Sequence, residues 1–296
     1  MKRILITGVH SYIGNAMEKY LREWNQREGQ EAYQVGKISL RNGEASLPEG
    51  FDVLLHVAGI AHADTGRVAE ETKRLYYRIN RDLTVETAKR AREAGIPLFI
   101  YLSSVIVYGD SAGPGKSRHI TADTEPEPAN FYGESKYQAE LELAKLRRKD
   151  FHVAVLRLPM VYGQGSKGNF PMLVKLARSL PVFPDIDNRR SVIYVEHLAE
   201  FIRLLIESGE GGLFFPQNEE YASTAQMVKA IGEAGGKKVY LMRALNPVVK
   251  ICSKMPGRIG QMTNKAFGSF TVDPGLNQGP EGYRKYTFLE SIRKSV

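Results

Sequence analysis

Cysteine is nearly absent: Cys252 stands alone in 296 residues, which excludes an internal disulfide framework. No apolar run approaches the ~20 residues that a membrane span requires, so no membrane partner is expected. Met1-Lys2-Arg3 leads straight into Ile4-Leu5-Ile6 and leaves no room for a signal peptide. Together these absences point to a reducing cytoplasm. The six histidines form no HExxH, paired-His or Cys/His spacing, so no metal site is expected. Internal repeats, low-complexity tracts and Pro/Gly/Ser linkers are missing too. Acidic residues are the minority, 33 Asp+Glu against 41 Lys+Arg for a net charge of +8, which favours anionic ligands if the excess is focused in a cleft. The basic residues, for example Arg147-Arg148-Lys149, read as spread along helices without a basic tail or aromatic interleaving, and nucleic acid is not an expected partner.

What is present is enough apolar sequence, 43% of the chain, for one dominant domain with a smaller lobe. Arg3 to Thr7 reads as a strand, followed by a turn from Gly8 to Gly14 and a helix with Ile13, Met17, Tyr20-Leu21 and Trp24 on one face. A weak strand at Tyr33 to Lys37 and a stronger one at Asp52 to Ala58 follow; the continuous apolar run of the second suits a parallel strand covered on both faces. A long helix through Leu75, Ile79 and Leu83 is stopped by Gly95 and Pro97. Leu98 to Ser104 is the next strand, then a Gly/Pro-rich loop through Pro128, a helix from about Tyr132 to Lys149, and a strand at Phe151 to Leu158. Strands alternating with helices of this length define an α/β, doubly wound parallel sheet. Past Gly163 the alternation weakens, with helical patterns at Phe170 to Leu180, Glu196 to Glu207 and Thr224 to Glu233.

Thr7-Gly8-Val9-His10-Ser11-Tyr12-Ile13-Gly14 sits between the first strand and the first helix. Exposed N–H groups and the helix dipole there can hold a dinucleotide's pyrophosphate, which makes Gly8, Ser11, Tyr12, Ile13 and Gly14 candidate cofactor residues. An acidic residue about twenty positions on would mark NAD, but none is clear; Lys37 instead admits the phosphate of NADP, or is simply solvated. NAD and NADP both stay open. Tyr132 and Lys136 lie four apart, one helical turn, so a phenol and an ammonium share a face. A nearby cation stabilises a phenolate and turns a weak base into a useful one.

The pair follows Tyr101-Leu102-Ser103-Ser104-Val105-Ile106-Val107-Tyr108-Gly109, at the end of a central strand. With Asp52-Val53-Leu54-Leu55-His56-Val57-Ala58-Gly59, Asn80, Leu158-Pro159-Met160-Val161-Tyr162-Gly163 and Arg190-Ser191-Val192-Ile193-Tyr194-Val195, the chain resembles, nearly end to end, an extended short-chain dehydrogenase/reductase of the nucleotide-sugar epimerase/dehydratase group. That resemblance implies a Rossmann NAD(P)-binding domain at 1–163, with about 186–206 returning to it, and a mainly substrate-binding C-terminal lobe at 164–296. It implies Tyr132 as general acid/base, Lys136 lowering the pKa of Tyr132 and binding the nicotinamide ribose, and Ser104 on the same substrate oxygen. Val57, Ala58, Gly59, Asn80, Tyr132, Lys136 and Pro159 would line the cofactor. Arg190 and Asn169 would bind the substrate's diphosphate; Asn169 reads equally as an N-cap for the helix containing Pro171. Asn80 has a plainer reading, a buried residue satisfying backbone groups, and His56 and His62 carry no chemical role.

The Asp-Glu pair that the group's 4,6-dehydratases place after the serine or threonine is replaced by Val105-Ile106, which argues against water elimination. Asn169-Phe170-Pro171, Asn188 to Val195 and Phe267 to Asp273 resemble bacterial enzymes of surface polysaccharide synthesis acting at C4 of UDP-linked amino sugars. The short stretch between Gly8 and Asp52 loosens cofactor retention and inclines the reading to a 4-ketoreductase. Alternatives are a UDP-hexose or UDP-HexNAc 4-epimerase with tightly bound NAD, and a non-catalytic NAD(P)-binding regulator. A homodimer through the helices bearing Asn80 and Tyr132 is compatible with the resemblance.

Overall fold

The structure, a computed structural model, describes residues 1–40, 47–60 and 69–296, and His62 lies outside them. The chain begins with β1 (Lys2–Thr7), α1 (Tyr12–Glu28), β2 (Tyr33–Ile38), β3 (Val53–His56), α2 (Glu70–Tyr77) and α3 (Leu83–Glu93). Next come β4 (Leu98–Ser104), β5 (Ser117–Ile120), α4 (Phe131–Leu146), β6 (His152–Leu158), β7 (Met160–Tyr162), α5 (Asn169–Ser179), β8 (Val182–Pro184) and β9 (Val192–Tyr194). The remainder comprises α6 (Val195–Ser208), β10 (Gly212–Phe214), α7 (Thr224–Ala234), β11 (Tyr240–Met242), α8 (Asn246–Lys254), α9 (Arg258–Phe267), β12 (Ser269–Val272) and α10 (Phe288–Arg293).

Six strands form one parallel sheet in the order β10-β6-β4-β3-β1-β2. Chain order reverses at β1, so the carboxyl ends of β1 and β3 open a crevice where doubly wound sheets bind ligands. Ile4, Ile6, Leu55 and Ile100 bury one face against Met17 and Leu21 of α1 and Leu198, Phe201 and Ile202 of α6. On the other face Leu54, Phe99 and Val153 meet Ala88 and Ala91 of α3 and Ala139 and Leu143 of α4. Each such aliphatic burial stabilises the fold by about 2 kcal/mol. A separate core joins α5, α7 and α10 around Phe170, Val228 and Ile292 in the C-terminal lobe. The sheet and its smaller lobe are the architecture that the alternation predicts.

Three local features depart from the sequence reading. The helix through Leu75, Ile79 and Leu83 is interrupted by a π-helical turn at Arg78–Asp82, centred on the buried Asn80. The Gly/Pro-rich loop contains β5, which pairs with β12 in register Ser117↔Ser269 to Ile120↔Val272, a partner too distant in sequence to be legible. Beyond 186–206, β10 also reaches the main sheet, pairing Gly212–Phe214 with Ala154–Leu156 of β6.

Candidate active site

β1 ends at Thr7, and Gly8 turns the chain with φ 79°, a left-handed conformation that suits glycine. A Cβ at Gly8 would lie 3.2 Å from both Cα and N of Ala58, so glycine lets the loop after β1 touch the chain leaving β3. Ser11 caps α1, its Oγ accepting from the Gly14 N–H at 3.3 Å. The N–H groups of Tyr12 and Ile13, at the first helical positions, have no intrahelical acceptor by geometry. At Gly14 a Cβ would sit 3.1 Å from the side chains of Ile6 and Val57, which shows how closely α1 docks on the sheet. These residues fit a pyrophosphate: the N–H groups of Gly8, Ser11 and Gly14 are used within the protein, and those of Tyr12 and Ile13 at the start of α1 are left to an anion.

Thr7, which the sequence reading passed over, locks this corner. Its Oγ1 accepts from the N–H groups of Val57 and Ala58, both at 3.2 Å. Its hydroxyl proton is then directed to His56 Nδ1 at 3.2 Å, and His56 Nε2 donates to Thr84 Oγ1 at 3.0 Å. Burial, assisted by the charge of Lys136, pushes His56 down to about 3, so the imidazole is a neutral strut. Lys37 is committed elsewhere: its ammonium pairs with Glu18 and donates to Asn15 Oδ1 at 2.7 Å. These contacts tie β2 to α1.

β4 delivers Ser104 at its carboxyl end, where the Ser104 Oγ accepts from the Ile106 N–H at 3.3 Å and caps the 3-10 turn Val105–Tyr108. Asn130 caps α4, accepting from the Gly133 N–H at 3.0 Å. Gly133 permits the approach of α4 to that turn, since a Cβ there would lie 2.9 Å from the Ile106 carbonyl oxygen. Tyr132 is thereby brought beside Ser104, whose hydroxyl works to hold the phenol's pKa down. Tyr76 stands edge-on to Tyr132, with centroids 6.2 Å apart.

Desolvation pushes the Tyr132 phenol up to about 12, with Tyr76 adding to the effect and Ser104 opposing it. The expected depression by Lys136 is not present in this structure. Lys136 is only 7 % exposed, and its Nζ donates to the Leu102 carbonyl at 3.0 Å while lying 4.7 Å from the Tyr101 ring centroid. Burial pushes that ammonium down to about 8, against an upward pull from Glu140. A Cβ on Gly59 would lie 3.4 Å from Lys136 Nζ and 3.1 Å from Asn80 Oδ1, so Gly59, Asn80 and Lys136 converge beside the crevice.

Asn80 clasps Ile60 from both sides, donating to its carbonyl at 3.0 Å and accepting from its N–H at 2.8 Å, and reaches Ser135 Oγ at 3.1 Å. This is the plainer of its two readings, realised in the chain that follows Gly59. Pro159 is buried between β6 and β7, where the chain leaves the main sheet to pair with β9. Arg190 is half-buried, exchanges backbone hydrogen bonds with Ala222 at 3.0 Å, and donates from Nη1 to the Lys265 carbonyl. Burial pushes its guanidinium down, and among the described residues no carboxylate pairs with it. Asn169 is exposed and is the first residue of α5; Gly168 is the cap, with φ 89°, so the N-cap reading of Asn169 is corrected. Neither Arg190 nor Asn169 hydrogen-bonds to the Ser104/Tyr132/Lys136 group.

One network escaped the sequence reading altogether. Glu140, one turn beyond Lys136, accepts from Ser103 and is bridged by Arg157, with Nη2 at 2.6 Å from Oε2. Arg157 also donates to the Tyr108 hydroxyl at 2.5 Å. The continuing four-residue spacing from Tyr132 through Lys136 to Glu140 was the available signal.

A parallel dinucleotide fold with these two sites is that of an extended short-chain dehydrogenase/reductase. The model of the NAD dependent epimerase/dehydratase family matches residues 4–221. A UDP-glucose 4-epimerase of Vibrio cholerae is 28% identical, covering 100% of this chain and 94% of its own length. An N-acetyl-alpha-D-glucosaminyl-diphospho-ditrans,octacis-undecaprenol 4-epimerase of Escherichia coli O157:H7 is 22% identical over 91% of this chain and 83% of its own. A dTDP-4-dehydrorhamnose reductase of Clostridium acetobutylicum shares the fold with TM-score 0.72 at 18% identity, covering 99% of this chain and 98% of its own. A UDP-glucuronic acid 4-epimerase mutant from Bacillus cereus, in complex with NAD and a fluorinated substrate analogue, does so at 0.70 and 18%, covering 99% and 97%. The chain belongs to the NAD-dependent epimerase/dehydratase family and is an NAD(P)-dependent enzyme of its nucleotide-sugar epimerase and reductase branch.

Proposed function

We propose that the enzyme transfers two electrons at C4 of a UDP-linked sugar, with Tyr132 moving the proton of the C4 oxygen. The convergence of Ser104, Tyr132 and Lys136 at the end of β4, beside the Gly8 crevice, carries this reading. Gly8, Ser11, Tyr12, Ile13 and Gly14 would hold the cofactor pyrophosphate; Val57, Ala58, Gly59, Asn80, Lys136 and Pro159 would line its nicotinamide half. NAD or NADP bound there supplies the electron transfer to or from C4. Ser104 orients the C4 oxygen toward the phenol, and Arg190, half-buried and without a carboxylate partner among the described residues, offers its charge to the substrate diphosphate. Residues 164–296 would shape the substrate side, with the segments at about 186–206 and at β10 returning to the sheet.

Two relatives that match 100% and 91% of the chain are named as 4-epimerases, and this supports the epimerase direction over the reductase to which the short stretch after Gly8 inclines. The reductase reading keeps one specific support: a phenol held at about 12 is protonated at neutral pH, the state from which a keto oxygen receives its proton. The test supplies UDP-GlcNAc and UDP-glucose without added cofactor, and in parallel UDP-4-keto-6-deoxy-HexNAc with NADH or NADPH. Conversion to the 4-epimers with no net cofactor turnover supports the epimerase. Stoichiometric cofactor oxidation without epimer decides for the reductase, and cofactor binding with neither reaction removes the C4 reading in favour of a regulator.

A further inference from the structure

Between Glu233 and Asp273 the chain carries seven Lys/Arg and no Asp or Glu, so nearly all of the +8 excess lies in one segment. The segment folds as β11, a 3-10 turn, α8, α9 and β12. Its basic side chains are mostly exposed: Lys238, Arg243, Lys250, Lys254 and Lys265. Arg243 faces Asp185 at 3.2 Å, whereas Lys238, Lys250, Lys254 and Lys265 have no ion pair among the described residues.

The same segment exposes large apolar side chains. Val248 and Ile251 on α8 and Met255 at its C-cap recur at helical spacing, and Ile259 and Met262 continue the exposed apolar set on α9 beyond the turn. Ile251 is 65 % exposed and Val248 56 %. On the neighbouring strand β11, Tyr240 and Met242 are exposed as well. The hairpin is anchored from below: Val249 is buried, Phe267 stacks near Phe183 with centroids 5.7 Å apart, and Asn264 Nδ2 donates to the Ser253 carbonyl at 3.3 Å. Thr224 Oγ1 donates to the Ala266 carbonyl at 2.5 Å. The stripe therefore faces outward on a fixed base.

Leaving a Val/Ile/Met stripe in water forfeits the burial that such side chains gain in a core, and unpaired lysines beside it repel one another. Both are relieved by one kind of surface. We propose that the α8–α9 hairpin docks peripherally on an anionic lipid bilayer, with the apolar stripe dipping below the headgroups and the lysines at the phosphate level. Amphipathic helices with cationic flanks bind interfaces in this way, each lysine or arginine near an anionic surface adding to the attraction. The segment supplies no carboxylate of its own, and Asp185 meets only Arg243, which favours lipid phosphate over a protein partner, whose surface would present both signs. The expectation of no membrane partner came from the absence of a span, and no described helix is long and apolar enough to cross a membrane. Surface docking needs only the stripe. This proposal stands apart from the reading of the reaction, although Arg190, through its bond to the Lys265 carbonyl, places the substrate side next to the docking face.

The test is co-sedimentation of the full chain with phosphatidylcholine vesicles containing or lacking phosphatidylglycerol. Sedimentation with the anionic vesicles alone, weakening as salt rises, is expected. Lys250→Glu with Lys254→Glu should weaken it by about tenfold or more, and Ile251→Ser with Ile259→Ser by a similar factor, while the circular dichroism spectrum and cofactor binding stay unchanged. No binding to anionic vesicles, or binding that both double variants leave intact, would overturn the proposal. So would a concentration-dependent dimer that the Ile251→Ser/Ile259→Ser variant dissociates in the absence of any vesicle binding, which would assign the face to a second copy.

Discussion

The Lys136 ammonium donates to the carbonyl oxygen of Leu102 at 3.0 Å, inside the sheet end, while burial holds its pKa near 8. An ordinary lysine titrates at 10.5, so the folded chain holds fewer protons than the unfolded chain between about pH 8 and 10.5. The charged lysine thus costs about 3 kcal/mol below pH 8, and stability rises as pH climbs through that window. Lys136→Met should be more stable than the parent at pH 7, and the difference should shrink toward pH 10. Urea titrations across that range check it; a difference that stays flat with pH contradicts a buried ammonium.

Tyr132→Phe removes the proposed proton carrier without disturbing its ring contacts. The turnover number should fall by about 10²–10⁴, the usual share of a general acid/base. Binding of NAD or NADP, followed by nicotinamide fluorescence, should change little. Retained turnover would remove Tyr132 from the chemistry.

Arg190→Leu takes away an unpaired, half-buried guanidinium. If it holds the substrate diphosphate, KM for the nucleotide sugar should rise by about tenfold or more with a smaller change in kcat, and Arg190→Lys should recover only part because it lacks the planar fork. Equal losses in kcat and folding stability would assign Arg190 to the Lys265 contact instead.

Gly8→Ala places a Cβ 3.2 Å from the Ala58 backbone at φ 79°. A stability loss of about 1–3 kcal/mol is expected, together with weaker cofactor binding, because the loop must move off Ala58. Unchanged calorimetric melting would show that the two loops have slack.

Glu140→Leu strands Arg157 in a site where both side chains are 7 % exposed. The expected cost is about 3–5 kcal/mol, much of it recovered when Arg157→Met is added. Denaturant midpoints of the two single variants and the double distinguish this from simple overpacking, in which the double would be worse than either.

Much of this protein is written locally. Ile4-Leu5-Ile6 and Val53-Leu54-Leu55 are continuous apolar runs, and runs of that kind end as strands buried on both faces. Gly8, Ser11 and Gly14 announce a strand-to-helix turn because backbone freedom and capping involve only near neighbours. The four-residue interval between Tyr132 and Lys136 guarantees a shared helix face wherever that helix lies. The charge asymmetry of the segment between Glu233 and Asp273 was equally legible by counting, but an average over the whole chain conceals it.

Tertiary structure decided the rest, because protonation, pairing and exposure depend on atoms brought from far along the chain. Leu102 and Tyr101 claimed the ammonium that spacing alone directs to Tyr132. Ile60 claimed both ends of Asn80, and Glu18 claimed Lys37. β5 became a strand only because β12 arrived beside it. The anchoring contacts of Val249 and Phe267 leave the apolar side chains of α8 and α9 facing outward. Local patterns set which groups are present on which face; the packing of distant segments sets their charge state and what they are free to bind.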